Sequence, residues 1–543
     1  MQLLDQYGNK MKKLSSVGPN REVVKLREQI RHTLKGYYDA AQTTIQNEQH
    51  WLPSNNLSPH AVNSLSTRKT LRSRSRYEGS NSGYLKGIML SLCQDFVGSG
   101  PTLQITDPRF QSKNETPDPN KPSPAVIIER AWKRRAKRIK LRKKLWRLRH
   151  DKISNGEGFA FAINDFKLKD QVKLNQRIFE CDQVSHFDIV VKPKRNRLEI
   201  DGIRFNETTG DPTHYHLLHE HPGETQFFSN RFLKPNTGKW IRASNVIHWF
   251  RQDRGWLRGI PETTTTLPLW ALLRRYTLAV VQNAEIAADF TVLLKTMQLP
   301  FGTAFGNDGD GDVSETDKEK WFQGFPVDRG MMTAVPDNYD LTQLDPKQPV
   351  NIYDSFVAAL VGEASRPLLT PRNVAMADSG NNNMSAGVHD TQTYRQSIDQ
   401  ERFDCEDEVL DKDLDQWWFE AIRTPGYFKD EFSDVSVLQT IQRFSDLKEE
   451  PPEHVYRWDT VPEHTDPIKV ATAINVLHMG GHITDKDIQE GRFNRSVEEH
   501  HENRRQQLER EQQLRTKFPD QFQSLNDESD DNSFQDDDSS NND

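Results

Sequence analysis

The sequence is poor in the features that mark secreted and membrane-spanning proteins. Its three cysteines, Cys93, Cys181 and Cys405, are too few and too far apart for a disulfide framework or a paired zinc knuckle. The first residues, MQLLDQYGNKMKKLSS, lack the apolar core of a signal peptide. The most apolar stretch, 267–295, is interrupted by charged side chains, whereas a membrane span requires about 20 largely uncharged residues. These absences predict a soluble protein in a reducing compartment.

Apolar residues are also scarce. Hydrophobic residues make up 34% of the 543 residues and charged residues 28%, which leaves limited apolar surface for a core. At roughly 150 residues per domain, the length allows about two to four domains. The composition therefore predicts exposed helices, extended arms or surfaces that become buried on assembly.

Charge is unevenly distributed along this chain, whose net charge is -7. Residues 129–150, ERAWKRRAKRIKLRKKLWRLRH, contain twelve Lys and Arg but only one acidic residue, Glu129. Residues 526–543 contain eight acidic residues and no basic one, a composition typical of a disordered, solvated arm. The protein is thus acidic overall but contains one strongly basic segment, residues 129–150.

The basic segment 129–150 has the periodicity of a helix with two apolar lines. The first line consists of Trp132, Ile139 and Trp146, which are seven residues apart. The second line consists of Leu141, Leu145 and Leu148. Such a helix can pack on two sides and still present cations to phosphates. The alternative is a solvated amphipathic helix whose Lys and Arg stems lie along apolar neighbours. The periodicity favours neither interpretation.

Elsewhere the patterns predict an α+β fold. Residues 82–97 have apolar side chains at helical spacing and end before Gly98 and Gly100, which are common helix stops. Strands of an antiparallel sheet are predicted by GFAFAIND, RIFECDQVSHFDIVV, NRLEIDGIRF and THYHLLHEH. Residues 264–297 predict one helix of about 30 residues, about 45 Å long. The loop 366–387, which follows a second apolar helix, NIYDSFVAALVGEA, is too long to be a mere connection.

Two patterns suggest a metal site, and neither is complete. The run 308–319 has acidic residues at four positions of a calcium-binding loop, but Val313 replaces the glycine that the sharp turn requires. THYHLLHEH offers His214, His216, His219 and His221 without a neighbouring carboxylate or cysteine set. A flexible acidic loop and surface histidines are the favoured interpretations, so no metal ligand is predicted.

A series of short motifs runs in order through roughly residues 36–500. It begins with YYDAAQ and HW, LRSRSRYEGSNSGYLKGIMLSLCQDFVGSG, IIERAWKRR and HDKISNGEGFAFA. It continues with RIFECDQV, EIDGIRFNETTGDPTHYHL, NVIHWFRQDRGWLRGIPETTTTLPL, VNIYDSFVAALVGEASRPLLT, NMSAGVHD and DPIKVATAINVLHMGGHIT. Together, RGIP and this ordered series resemble the lambda-like family of tailed-phage portal proteins. The acidic tail is an addition to the family pattern.

The resemblance implies a homo-oligomeric ring, usually of about twelve subunits, at one vertex of a capsid. Double-stranded DNA is packaged and later ejected through such a ring. The implied partners are that DNA, the terminase large subunit, the major capsid or scaffold protein and head-tail connector proteins. The implied location is the virion, with host cytoplasm during assembly. No cofactor and no catalytic residue are implied.

The resemblance also implies an α+β portal fold with a wing, a stem, a clip and a crown. By position these divide the sequence into an N-terminal arm 1–59, a wing 60–263, a stem helix 264–298, a clip 299–348, a second stem helix 349–364, a channel loop 365–387, a wing return helix 388–463, a helical crown 464–518 and an acidic tail 519–543.

Two sets of residues are expected to contact DNA. Weak phosphate contacts in the channel loop are expected from Arg366, Arg372, Asn381, Asn382 and Asn383. Contacts with packaged DNA outside the channel are expected from Lys133, Arg134, Arg135, Lys137 and Arg138. An acidic surface of the capsid or of a neighbouring subunit is the alternative partner of this second set. A conduit must not grip DNA, because each neutralised phosphate adds salt-dependent affinity.

Two other functions compete with the portal. A PD followed by DxK, formed by Asp337, Asp345 and Lys347, resembles the pattern of magnesium-dependent nucleases, but Pro346 would remove a hydrogen bond from the strand that should carry it. A DNA-binding adaptor without a ring is the third possibility. The sequence has no phosphate-binding loop, nucleophile elbow or HExxH helix.

Overall fold

A computed structural model gives the fold of the chain. It describes residues 57–110, 123–185, 198–206, 208–223, 238–288, 292–296, 339–343, 353–378, 380, 384–428, 450–458, 467–483, 488 and 497–517. By its internal contacts the chain divides into a first unit, Met1–Val62, and a second unit, Asn63–Asp543. The described part of the first unit contains one short helix, α1 (Pro59–Val62).

The second unit has mixed helix and sheet. Its described helices are α2 (Leu65–Asn81), α3 (Gly83–Val97), α4 (Pro124–Arg138), α5 (Leu141–Asn155), α6 (Leu267–Ala288), α7 (Tyr353–Ser365), α8 (Arg372–Met376), α9 (Met384–Cys405), α10 (Asp411–Ala421), α11 (Pro467–Met479) and α12 (Val497–Lys517). Its described strands are β1 (Thr102–Ile105), β2 (Glu157–Asn164), β3 (Leu174–Phe179), β4 (Leu198–Ile200), β5 (Ile203–Phe205), β6 (Pro212–Leu218), β7 (Gly238–Arg242), β8 (Val246–Phe250), β9 (Val292–Thr296), β10 (Tyr339–Gln343) and β11 (His454–Arg457).

The basic segment forms two helices, α4 and α5, and not the single helix that its periodicity predicts. The chain breaks at Lys140, which has a left-handed backbone with φ 57°. Ile139 and Leu141 are both buried. A continuous helix would turn these two side chains about 200° apart, because each residue rotates by about 100°. The break therefore lets both pack into the same core.

The predicted strands form two antiparallel sheets and not one. The first has the order β3-β2-β8 and the second the order β4-β5-β6-β7, and β1 pairs separately with β11. Within RIFECDQVSHFDIVV, β3 ends at Phe179 and a 3-10 turn begins at Cys181, and residues 186–191 lie outside the described residues. The helix predicted at 82–97 is confirmed as α3, which ends at Gly98.

The buried apolar side chains described in the second unit form three clusters, and the smallest joins Phe159 of β2 to Ile203 and Tyr215 of the second sheet. The first lies between α4, α5 and β2 on one side and α9 and α10 on the other, with Trp132, Trp249 and Trp417 at its centre. The second joins α3, α6, α7 and α9 around Trp270 and Tyr394. Helices and sheets thus share cores, as an α+β fold requires.

The long helix predicted at 264–297 is shorter. A 3-10 turn at Thr264–Thr266 precedes α6, which has 22 residues and a length of about 33 Å. Val292–Thr296 instead forms β9, paired antiparallel with β10. A short apolar run such as TVLLKT fits either a helix or a strand, and here pairing with YDLTQ selects the strand.

The channel loop 365–387 also contains regular structure. A 3-10 turn covers Arg366–Leu368, α8 follows, and α9 already begins at Met384. The predicted return helix after 388 is broken by a π-helical turn, Glu406–Leu410, before α10. Two helices of the predicted crown, α11 and α12, lie within 464–518. Across all the described helices, none combines the length and the apolar content that a bilayer crossing requires.

Candidate nucleic-acid interface

Charged side chains from three of the family motifs, LRSRSR, GEGFAFA and RGIP, meet in one buried ion network. Glu157, at the start of β2, is fully buried. Its carboxylate accepts hydrogen bonds from Arg258 Nε, 3.0 Å from each oxygen, and contacts the guanidinium of Arg72. Gly259 N donates to Glu157 Oε2 at 3.1 Å, and His248 Nε2 lies 3.0 Å from it. Although burial opposes the charge, these two guanidiniums hold the pKa of Glu157 well below its usual value.

The same motifs are also in close backbone contact. Gly156 has a left-handed backbone with φ 88°, and a Cβ there would lie 2.1 Å from the carbonyl carbon of Ile260. A Cβ on Gly259 would lie 2.1 Å from Gly156 O. Only glycine lets the GE and RGIP segments cross at this distance. This region is therefore a structural joint between α5, β2 and the segment that leads into α6.

Two cations of the basic segment point inward. Arg135, expected to contact DNA, has a side chain only 1% exposed, and its Nη1 and Nη2 lie 2.6 and 2.8 Å from the two oxygens of Asp413. It cannot contact DNA in this fold, because it is on the buried face of α4 and joins that helix to α10. Arg149 similarly pairs with Glu262 at 2.8 Å.

The other cations of α4 form an exposed stripe. Arg130, Lys133, Arg134 and Lys137 are exposed and follow the i, i+3, i+4, i+7 spacing of one helix face. Within the described residues none of these four forms an ion pair. Like charges at i, i+4 destabilise a helix by about 0.2–0.5 kcal/mol per pair. The stripe thus costs stability, which favours a binding role over a structural one.

Two basic grooves flank the β2–β3 hairpin. The α4 groove, of about 470 Å³, is lined by cations from α4 and from the hairpin turn: Arg134, Arg138, Lys169 and Lys173. Asp170 is its one acidic side chain and pairs with Arg138 at 2.9 Å. The β3 groove, of about 530 Å³, is lined by Lys143, Lys144, Arg147 and Arg177 and by no acidic side chain. Burial lowers the pKa of Lys144 to about 8.

The hairpin cations were not predicted as site residues. Lys169, Lys173 and Arg177 come from the segment after β2, and single basic residues in such a segment give no sequence signal. The fold brings them beside the basic helices because β3 pairs with β2 and α5 packs on both strands. The basic surface is thus wider than the basic segment.

The channel-loop residues fall in two classes. Arg366, in the 3-10 turn, and Arg372, at the start of α8, are both exposed, and neither forms an ion pair among the described residues. The stem of Arg372 packs over Gly362 of α7. Asn381, Asn382 and Asn383 lie outside the described residues. The two arginines therefore remain candidates for phosphate contact.

The strand pattern predicts that the four histidines of THYHLLHEH lie on the surface, and this prediction is wrong for His216. His216 is fully buried, with Nδ1 2.7 Å from Ser185 O and its ring against Trp240, on the face of β6 opposite to Tyr215, which is also buried. His221 lies after the strand, 3.2 Å from a Glu180 oxygen and 3.7 Å from an Asp182 oxygen. The proximity of the Asp182 and Glu180 carboxylates raises the pKa of His221 to about 9.

Glu180, Asp182 and His221 have the geometry of a metal site, since their ligand atoms lie within 4.8 Å of one another. Asp182, however, already pairs with Arg72 at 3.0 Å and Arg76 at 2.8 Å. Two guanidiniums at this distance oppose a further cation. The cluster is therefore an ion-pair network. The possible calcium loop 308–319 and the residues Asp337, Asp345 and Lys347 lie outside the described residues.

A family model described as "Phage portal protein, lambda family" matches residues 46–402. Curated proteins show no significant match to the sequence. Among solved structures, the chain resembles one titled as the neck of an empty GTA particle, at 9% identity, with 77% of this chain and 91% of that chain covered and a TM-score of 0.40. It also resembles an HK97 family phage portal protein from Corynebacterium diphtheriae, at 12% identity, with 62% and 92% covered and a TM-score of 0.32.

Proposed function

The chain belongs to the lambda family of phage portal proteins, and on that premise we propose that it forms the ring at a capsid vertex through which double-stranded DNA is packaged and ejected. The match over residues 46–402 carries this proposal. The family is structural, so we assign no catalytic residue. The terminase large subunit, the capsid or scaffold protein and the head-tail connector proteins are the proposed partners.

We propose the following assignment of regions to the ring. The two sheets, α2 to α5, α9 and α10 form the wing, and α6 with α7 forms the stem. The β9–β10 pair belongs to the clip, and α11 and α12 belong to the crown. The segment from Arg366 to α9 borders the channel. Support for this assignment comes from the order of these elements along the chain, which follows the family motifs.

The proposed stem has an exposed apolar face. Leu278 and Val281 of α6 are 55% and 51% exposed, and Phe356 of α7 is 44% exposed and packs edge-on against Tyr276. Leu278 and Val281 are three residues apart and therefore lie on neighbouring positions of one helix face. Exposed apolar patches of this kind mark protein interfaces. A neighbouring copy of α6 or α7 is the partner that a ring provides.

The α4 stripe is the proposed contact with packaged DNA. Arg130, Lys133, Arg134 and Lys137 present cations outward, and the α4 groove adds Arg138, Lys169 and Lys173 beside them. Cations on one helix face bind phosphates without reading sequence. In the channel, Arg366 and Arg372 are proposed as isolated and therefore weak phosphate contacts.

The mass and shape of the purified full-length chain test the ring. Light scattering should give a mass of roughly twelve times 62.8 kDa, and negative-stain images should show rings with a central hole. A chain that stays monomeric or dimeric at high concentration, also when mixed with its scaffold protein, would contradict the proposal.

The DNA contact is tested separately with the α4 variant, Lys133→Glu/Arg134→Glu/Lys137→Glu. Its DNA affinity should depend less steeply on salt, because each lost phosphate contact removes about 0.9 from the slope of log K against log salt. The matched control is the β3-groove variant, Lys143→Glu/Arg147→Glu/Arg177→Glu, which changes the charge equally. An unchanged slope in the α4 variant would exclude this face as the DNA contact.

A further inference from the structure

The β3 groove differs from the α4 stripe in shape and in lining. Five consecutive residues, 175–179, line it together with α5. Successive side chains of a strand point to opposite faces, so a groove lined by five in a row follows the edge of the strand and not one of its faces. β3 is the edge strand of its sheet, and no strand of the described chain pairs with it on this side.

The lining combines three kinds of group. Lys143, Arg147 and Arg177 provide exposed positive charge, and the Arg177 guanidinium lies 4.7 Å from the ring centroid of Phe179. The amides of Asn175 and Gln176 are already held by hydrogen bonds to Asp165 and Asp413, and Ile163, Ile178 and Phe179 provide an apolar floor. A fitting ligand is thus extended, acidic and partly apolar.

The chain contains a segment with these properties. Residues 526–543, NDESDDNSFQDDDSSNND, have eight acidic residues, no basic residue and one apolar side chain, Phe534, between the two acidic runs. We infer that this acidic segment, from the same chain or a neighbouring copy, binds in the β3 groove. Its carboxylates pair with Lys143, Arg147 and Arg177, and Phe534 contacts the apolar floor.

A DNA duplex fits this groove less well than a peptide does. A duplex is a rigid rod and brings phosphates to protruding cations such as those of α4, and its bases are not available to the apolar floor. An extended peptide can lie along a strand edge, pair with backbone groups and place alternate side chains in pockets. The groove volume of about 530 Å³ suits a few side chains. The acidic segment would also keep DNA away from this part of the surface.

The test uses the full-length chain with the eight acidic residues of 526–543 changed to Asn and Gln, which removes the internal competitor. A fluorescent peptide with the native 526–543 sequence is titrated against it, and anisotropy is recorded at several salt concentrations. The peptide should bind at least about tenfold more tightly than it binds the wild-type chain, and more weakly as salt rises. A Phe534→Ala peptide should bind several-fold more weakly.

Charge variants on the same background locate the site. The β3-groove variant Lys143→Glu/Arg147→Glu/Arg177→Glu should lose at least about tenfold in peptide affinity, and the α4 variant should lose much less. The altered side chains are exposed, so both proteins are expected to fold, and thermal unfolding checks this. Equal losses of peptide affinity in the two variants would show non-specific charge attraction instead of binding at a defined groove. That result would overturn the inference. So would an absence of peptide binding, or DNA binding that depends on the β3 groove more than on the α4 stripe.

Discussion

At the scale of single residues, the basic side chains of this protein have two opposite uses. Arg72, Arg135, Arg149 and Arg258 are buried and paired with carboxylates, whereas Lys133 and its neighbours on α4 are exposed. Burying a charged group is costly unless it is paired and hydrogen-bonded, so each inward arginine makes its acidic partner indispensable. The net charge of a segment therefore says little about which of its cations are available to a ligand.

Glu157→Gln is expected to lower the free energy of unfolding by about 3–5 kcal/mol, because Arg72 and Arg258 would remain buried without their shared counter-charge. Denaturant or thermal unfolding of the full-length chain measures this loss. The control is Glu408→Gln, whose partner Lys412 is exposed and one helical turn away, 2.6 Å between charged atoms. This control should cost no more than about 0.5 kcal/mol. Similar losses in the two variants would disprove the structural role of the Glu157 network.

Asp151 predicts a pH dependence of stability. Burial raises the pKa of Asp151 to about 7, and its Oδ2 has no hydrogen-bond partner within the described structure. A carboxyl whose folded pKa exceeds its unfolded pKa stabilises the fold when protonated, and this stability is lost as pH rises from about 4 to 7. Asp151→Asn keeps the acceptor for Asn155 Nδ2 and removes the titration. Its unfolding midpoint should therefore exceed that of the wild type at pH 8, with a smaller difference at pH 5. A constant difference across this range would contradict the assignment.

The sequence motifs contained the individual residues of the buried Glu157 network, but they did not show which of these residues pair with one another. Arg72, Glu157 and Arg258 each lie in a motif that the family resemblance brought out. Nothing local shows that they form one network, because 85 residues separate Arg72 from Glu157 and 101 separate Glu157 from Arg258. Arg135 was expected on the surface for the same reason, since its partner Asp413 lies 278 residues away.

At the scale of elements, the boundaries that the sequence predicted well are those with a local chemical signal. Gly98 ends α3, as the glycine stop in the sequence predicted. The break at Lys140 has no such signal, since neither glycine nor proline is present. It follows from the burial of both Ile139 and Leu141. The end of α6 before β9 was missed because strand pairing with β10 is a long-range contact.

Gly156 allows a test at this scale. Gly156→Ala is expected to destabilise the fold by about 2–5 kcal/mol, from the left-handed backbone and from the contact with the Ile260 backbone. Gly87 is the matched control, because it is exposed inside α3 and an added Cβ would meet nothing within 4 Å. Gly87→Ala should stabilise by about 0.5–1 kcal/mol. Thermal unfolding of both variants measures the contrast, and a tolerated Gly156→Ala would refute the close crossing.

At the scale of the whole molecule, charge and apolar surface have separate roles in the proposed ring. A net charge of -7 per chain makes an assembled ring strongly negative, which repels DNA from most of its surface. The cations of α4 then act as a localised exception. Assembly also needs a contact between subunits, and the exposed apolar face of α6 is the contact that we propose.

Leu278→Asp/Val281→Asp should therefore abolish the ring while leaving the subunit folded. Burying a Leu or Val side chain stabilises by about 1.5–3 kcal/mol, and in a ring this loss recurs at every interface, where a buried carboxylate adds a further cost. Light scattering should show a fall from ring to subunit mass, and the separate subunit should still unfold cooperatively on heating, at a lower temperature than the ring. Phe166→Asp is the control, since Phe166 is 82% exposed in the turn after β2 and lies outside the proposed stem. Rings that persist in the double variant would place the subunit contact elsewhere, whereas their loss in both variants would show that any exposed charge disturbs assembly.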